Sequence, residues 1–467
     1  MRIRYYNRSG QNLLFEENVE TMKEKHMFSN RDLWKLLIPL MIEQLLASLM
    51  GTVDTMMVSN IGSEAISAVS LVDSINVLVI QAFAALAAGG TIICSQYLGR
   101  REPERANQFA SQVVLTTTAL SVSVMLLCLA FRTPLLCLIF GSVEPLVMED
   151  SKIYFFYTAL SFPFIAVYNA GASLFRAQKN TRTPMAVSVT SNFLNIGGNA
   201  ILIWGLKMGV AGAALSTLLS RVFCAVVVMY LLRRPEYELS VTNYHKMRPN
   251  FGSIKKIMAV GIPSGIENSM FQFGKLAIQS TVSTLGTVAI AAQAMTNILE
   301  ALNGICAMGV GIGMMTVVGQ CIGAGRDEEA AYYIKKLTGW GEVVLIVSCA
   351  AVLAATKPVT MLGGMETKSA KMCFDMMFVI TIVKPLIWSL SFLPAYGMRA
   401  AGDVKFSMTV TCFSMWFFRV VLAVLLCRFT GIGPMGVWVA MFTDWTVRAI
   451  FFTQRFRSRK WLRHHVV

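Results

Sequence analysis

Apolar blocks long enough to cross a bilayer recur twelve times along this chain, at roughly 33–58, 66–93, 109–131, 153–175, 185–206, 209–232, 254–284, 288–317, 337–356, 372–397, 404–427 and 432–453. About 20 helical residues at 1.5 Å each cross a hydrocarbon core. The blocks are continuous, without the apolar–polar alternation of barrel strands, so they read as helices. Composition agrees: 55% of the 467 residues are hydrophobic and 14% are charged, with a mean hydropathy of +0.58. A soluble domain would carry about 25% charge. The expected fold is an all-α polytopic membrane protein with twelve transmembrane helices.

The formal charge of +15 is placed by topology. Most of the 41 Lys and Arg fall in or beside the segments on one side of the predicted spans, the asymmetry of the positive-inside rule. That distribution argues against a nucleic-acid partner. It predicts a multi-pass protein of the cell membrane, with the lipid bilayer as its surroundings and both termini cytoplasmic. Residues 1–30 are polar, lack the apolar core of a secretory signal and are expected to form a mobile cytoplasmic tail. Met22 and Met27 are alternative starts, and Asn7-Arg8-Ser9 would go unglycosylated on that side. Residues 455–467 form a second, basic tail. The ten cysteines show no Cys-x-x-Cys pair, so they read as small packing residues rather than metal ligands or disulfides.

The two halves of the chain repeat. At a shift of 224 residues Ile38-Pro39-x-x-Ile42-Glu43 returns as Ile262-Pro263-x-x-Ile266-Glu267, and Gln96 and Gly99 return as Gln320 and Gly323. With small gaps, Arg176 meets Arg399 and Arg221 meets Arg448. Similarity that holds register across loops indicates duplication. Each unit has six spans, so the repeats run parallel, related by an axis along the membrane normal and enclosing a central cavity. The expected lobes are 31–232 and 254–454, joined by a polar cytoplasmic linker at 233–253 long enough to let them rock.

A carboxylate near the bilayer centre costs roughly 2.5–3.5 kcal/mol, so such residues face a protein interior or a wet cavity. The first span carries two, Glu43 and Asp54, eleven residues apart and therefore on one helical face. In the fifth span Asn192, Asn195 and Asn199 form one polar stripe, suited either to hydrogen-bonding between helices or to an ion site. Thr217 in the sixth span back-bonds to its own helix or completes an oxygen cage for Na⁺ with Asp54 and the asparagines. In the second half, Glu267, Glu300, Lys275 and Lys384 are expected to pair among themselves, because buried charges occur paired. Glu43 and Glu267 follow their prolines at the same spacing, which favours a shared structural or gating role. Asp73, Glu342, Asp375, Arg419 and Asp444 are not separable from interface residues, and Arg221 and Arg448 receive no chemistry. No phosphate-binding loop, His-Glu-x-x-His or Gly-x-Ser-x-Gly motif occurs, so neither an enzyme nor direct ATP drive is expected. Of the four histidines, three (His26, His464 and His465) lie in the terminal tails.

The first-span segment IPLMIEQLLASLMGTVDTMMVSNIG, the LFRAQKNTRTPM segment from Leu174, the GVAGAALSTLLSR segment from Gly209 and their second-half counterparts resemble the multidrug and toxic compound extrusion family of secondary transporters. The resemblance covers nearly the whole chain after residue 30. It implies a V of two six-helix lobes that exports lipophilic, often cationic small molecules by antiport against H⁺ or Na⁺ and needs no cofactor; a monomer is expected. Asp54, Asn195, Asn199 and Thr217 match the family's first-lobe cation site, with Na⁺ as a candidate occupant. The family's usual aspartate is replaced at Asn199. A second-lobe coupling acid of another branch falls at Gln272, and its tenth-span acid falls near Trp388, so first-lobe coupling is expected. Glu43, Glu267, Gln272, Lys275 and Glu300 are candidates for gating or substrate contact. The alternatives are a lipid-linked precursor flippase of the same superfamily, which would predict a more cationic cavity, and a channel or membrane enzyme, for which the sequence carries no filter-like or catalytic motif.

Overall fold

A computed structural model of the chain describes residues 26–141, 144–242 and 248–464. Asn7 to Ser9, Met22 and His465 lie outside the described residues. The first helix, α1 (Asn30–Ser59), starts at Ser29, whose hydroxyl accepts from the Asp32 amide while the Asp32 carboxylate accepts from the Ser29 amide. This reciprocal pair satisfies two of the donors a helix start leaves open. There follow α2 (Ser63–Gly99), α3 (Pro103–Ala130), the short α4 (Arg132–Phe140), α5 (Pro145–Leu160), α6 (Phe162–Ala177), α7 (Arg182–Asn199) and α8 (Gly209–Leu232). The second lobe comprises α9 (Phe251–Val282), α10 (Thr287–Gly323), α11 (Asp327–Leu362), α12 (Thr367–Ala400), α13 (Val404–Ser414), α14 (Leu422–Phe429) and α15 (Met435–Arg457).

Among the described residues nine helices are long and apolar enough to cross a membrane, or ten if α5 and α6, bent by 41° to each other, form one span. The break lies at Ser161, just before Pro163, which has no amide to continue the ladder. The expected seventh and twelfth spans are present as the long helices α9 and α15, but both are more polar. Helix α9 carries Lys255, Lys256, Glu267 and Lys275, and α15 carries Asp444, Arg448 and Arg455.

The repeat is visible in the packing. In each lobe the fifth span widens into a π-helical turn, Ala200–Gly205 after α7 and Met415–Val421 between α13 and α14. Such turns interrupt the regular ladder and recur at functional sites. Between lobes, α2 packs along α9 and its counterpart α10 packs along α1. Leu33, Leu36, Leu37 and Leu40 of α1 are buried in a core with Val310, Met314 and Val318 of α10. On the basic face, α2 and α10 cross at Gly99 and Gly323. A Cβ at Gly99 would lie 2.1 Å from the Gln320 carbonyl oxygen, and one at Gly323 would lie 1.9 Å from that of Gln96. Only glycine lets these backbones meet. The Gln96 amide donates to the Ala400 carbonyl at 2.7 Å, and its repeat partner Gln320 donates to the Ala177 carbonyl at 2.8 Å.

The end of the first tail is docked, contrary to expectation. Phe28 is buried, its amide donates to the Tyr333 hydroxyl at 2.8 Å, and His26 stacks on Tyr332. The linker also packs onto its own lobe, with the Asn107 side chain accepting from the Ser240 amide and Gln112 donating to the Arg248 carbonyl. At the other end Arg455 pairs with Asp403 and Trp461 is buried.

Candidate functional site

Glycine placement brings α7 and α8 together. A Cβ at Gly198 would meet the Ser216 hydroxyl at 2.4 Å, so the helices pack closely enough for Ser216 to donate to the Asn195 carbonyl at 2.9 Å. This contact presents Asn195 and Asn199, both buried, to α1. The C-terminal half of α1, which packs on α7, supplies Asp54. Asn199 donates to Asp54 Oδ1 at 2.8 Å. The Asn195 amide satisfies its neighbours with its nitrogen toward Asp54, 2.7 Å from Oδ1 and 3.2 Å from Oδ2. Its oxygen then faces the Ser216 and Thr217 hydroxyls, each 3.4 Å away. The Thr217 hydroxyl donates to the Ala213 carbonyl of its own helix. Asn199 Oδ1 is buried with no hydrogen-bond partner among the described residues.

The four residues expected in the first lobe therefore converge. A half-buried carboxylate is steadied by two amide donors, and an orphaned amide oxygen lies beside it. Carboxylate and amide oxygens are hard ligands that suit a small cation, and the carboxylate alone suits a proton. Among the described residues no group of three His, Cys, Asp or Glu side chains could hold a metal ion, so a cation here would rest on one carboxylate and neutral oxygens.

Two charges near this site were left unassigned by the sequence. Asp73 of α2 accepts from Asn76 at 3.1 Å and from the Tyr154 hydroxyl at 3.2 Å. Arg221 of α8 donates to Ser161 Oγ at 2.6 Å. Both lie within electrostatic reach of Asp54. Asp73 thus supplies a second carboxylate from a helix other than the one that carries Asn199. The signal that could have found it is an acid within an otherwise apolar span.

The gating candidates Glu43 and Glu267 are paired inside their own lobes. Arg176 donates to Glu43 Oε1 at 2.7 Å, with the Tyr168 hydroxyl at 3.3 Å, and Arg399 donates to Glu267 Oε1 at 2.5 Å. The two pairs are repeat counterparts beside the lobe contact, where Thr316 of α10 donates to the Arg176 carbonyl. Glu267 therefore does not join the second-lobe lysines, because its arginine counterpart reaches it first. Lys384, fully buried, donates to Glu300 at 2.5 Å. Lys275 forms no ion pair among the described residues and sits 4.9 Å from the centroid of the Phe271 ring. Gln272 is half-buried on the same helix. A 390 Å³ crevice between α2, α3 and α9, lined by Leu86, Leu120, Met258, Ile262, Ile266 and Met270 among others, holds none of these ionisable groups.

Comparison with known proteins places this arrangement. The chain is 27% identical to an uncharacterized transporter, YisQ, of Bacillus subtilis, over 92% of this chain and 94% of that one. It is 26% identical to the probable multidrug resistance protein NorM of Thermotoga maritima, over 95% and 96%. A solved outward-facing multidrug resistance MATE family transporter superposes with a TM-score of 0.86 at 21% identity, covering 92% of this chain and 95% of that one. The MatE family model matches residues 39–201 and again 263–425, which is the 224-residue repeat seen in the sequence. Two matches, one in each half of the chain, show that the chain belongs to the MatE family of multidrug and toxic compound extrusion transporters.

Proposed function

We propose that the chain is a secondary active exporter that exchanges lipophilic, in particular cationic, small molecules for H⁺ or Na⁺ as a monomer in the cell membrane, with both termini cytoplasmic. The observation that carries this reading is Asp54 held between the Asn195 and Asn199 amides, with the Asn199 oxygen unpartnered beside it. A cation arriving there exchanges amide donors for ligand oxygens, so occupancy changes how α1 seats on α7. Helix α1 also packs on α10 of the opposite lobe, which gives the site mechanical purchase on the lobe contact. A ligand drives alternation only if its affinity differs between the two arrangements. The glycine crossing, the paired glutamines and the docked residues 26–29 close the basic face, which supports reading this state as open toward the opposite side.

The test is dye movement in proteoliposomes with pH and Na⁺ gradients imposed separately. One of them is expected to drive uptake of a cationic dye. Asp54→Asn should reduce the driven component to the level of empty vesicles while the protein still assembles. Full driven transport by Asp54→Asn would remove that residue from coupling.

A further inference from the structure

The repeat makes the two lobes comparable position by position, and their polar sites differ in sign. At the 224-residue offset Arg419 of the second π-helical turn corresponds to Asn195. At the offset that carries Arg221 onto Arg448, Asp444 corresponds to Thr217. Where the first lobe sets neutral amides around an acid, the second sets guanidinium groups around one. Asp444 accepts from Arg448 Nε at 2.8 Å and from Ser414, and Arg419 Nη2 lies 2.9 Å from its second oxygen. All three charged groups are buried. Lys384 is matched by Glu300, which leaves Lys275 over. Lys275 acts electrostatically on Glu300, and Arg419 and Lys275 act on one another. The six groups Lys275, Glu300, Lys384, Arg419, Asp444 and Arg448 sum to +2. Glu342 of α11 acts electrostatically on Cys349, as Lys384 and Glu300 do, and counting it brings the excess to +1.

This excess faces an aromatic surface and an open side. Phe271 has Lys275 Nζ 4.9 Å from its ring centroid and Arg419 Cζ 5.2 Å from it. Lys275 is exposed and Glu300 half-buried, so α9 and α10 present them at the wall rather than inside it. Arg419 Nε is buried with no hydrogen-bond partner among the described residues. A buried donor left open is destabilising unless something accepts from it. An unpaired lysine, an arginine with an open donor and a shared aromatic ring make up a receptor for a flat body bearing an oxyanion.

We propose that this second-lobe wall is a subsite for an organic oxyanion, a carboxylate or a phosphate carried on an aromatic body, with Lys275 as the primary contact. The inference rests on the exporter reading and extends its substrate class from cations to zwitterions and anions. A zwitterion places its cationic end toward the Asp54 lobe and its anionic end here.

The probes are rhodamine B, whose carboxylate is free, and its ethyl ester, otherwise the same molecule. Equilibrium binding is read by fluorescence anisotropy on the full chain in nanodiscs, with empty nanodiscs subtracted and no ion gradient. The wild-type protein is expected to bind the acid at least about tenfold more tightly than the ester. Lys275→Gln should abolish that preference while leaving ester affinity within about twofold, which reports an intact fold, and Lys275→Arg should retain it. Equal or tighter binding of the ester by the wild-type protein, or a preference that survives Lys275→Gln, would overturn the proposal. Gradient-driven transport in proteoliposomes is scored separately. Transport without a carboxylate preference removes the subsite and keeps the exporter, and a preference without transport does the reverse.

Discussion

Gly323→Ala tests whether the glycine crossing of α2 and α10 holds the basic face shut. The added Cβ would sit 1.9 Å from the Gln96 carbonyl oxygen, where ordinary contact begins near 3.5 Å. The obstacle is backbone, so no rotamer relieves it, and the helices must separate by roughly 1.5 Å. A separation of that size stretches the Gln96–Ala400 and Gln320–Ala177 hydrogen bonds, now 2.7 and 2.8 Å, beyond bonding range. Two bonds at about 1 kcal/mol each shift the balance between closed and open arrangements by about 2 kcal/mol, or about thirtyfold. Cys321 is a native reporter. It is fully buried beside the crossing, with its sulfur 3.9 Å from Met27 Sδ of the docked segment. Its alkylation by N-ethylmaleimide, followed by mass spectrometry, should accelerate about thirtyfold if reaction requires opening. Cys94, equally buried but with its thiol turned to the Ala106 carbonyl of α3 in its own lobe, should keep its rate. Unchanged labelling of Cys321 in a folded Gly323→Ala protein would refute the idea that this crossing is the closure.

Two further outcomes follow from the packing. Arg399→Gln strands Glu267, whose side chain is 6% exposed; thermal unfolding in detergent should show a loss of about 3–5 kcal/mol, most of it recovered by adding Glu267→Gln. No recovery in the double variant would mean that Arg399 acts instead through Ser407, which accepts from its Nε at 3.0 Å, or through the Tyr396 ring, 5.3 Å from its Cζ. Gly198→Ala drives a Cβ into the Ser216 hydroxyl at 2.4 Å and should weaken ion-driven dye transport, with Ser216→Ala in the same chain restoring it. If the pair is as impaired as the single variant, the close approach of α7 and α8 is not what positions the asparagines.

What could be read from the amino-acid order was whatever depends on local chemistry and on repetition. Twelve apolar blocks dictate spanning helices because a bilayer leaves the backbone no other partner, and the 224-residue register dictates two like lobes. Asp54, Asn195, Asn199 and Thr217 were legible as a set because an acid and an asparagine stripe are costly in oil unless they meet. Pairing was not legible, since it depends on which helix turns reach one another in space. Glu267 finds Arg399 rather than a lysine, Lys275 is left over, and Asp73, which the sequence shows only as an acid in an apolar span, reaches the Asp54 neighbourhood from a different helix. The docking of residues 26–29 likewise needed Glu329 and Tyr333, some 300 residues away, which accept from the Met27 and Phe28 amides. Composition and periodicity settle what each helix must bury, whereas the partner it buries against is settled only when the lobes close.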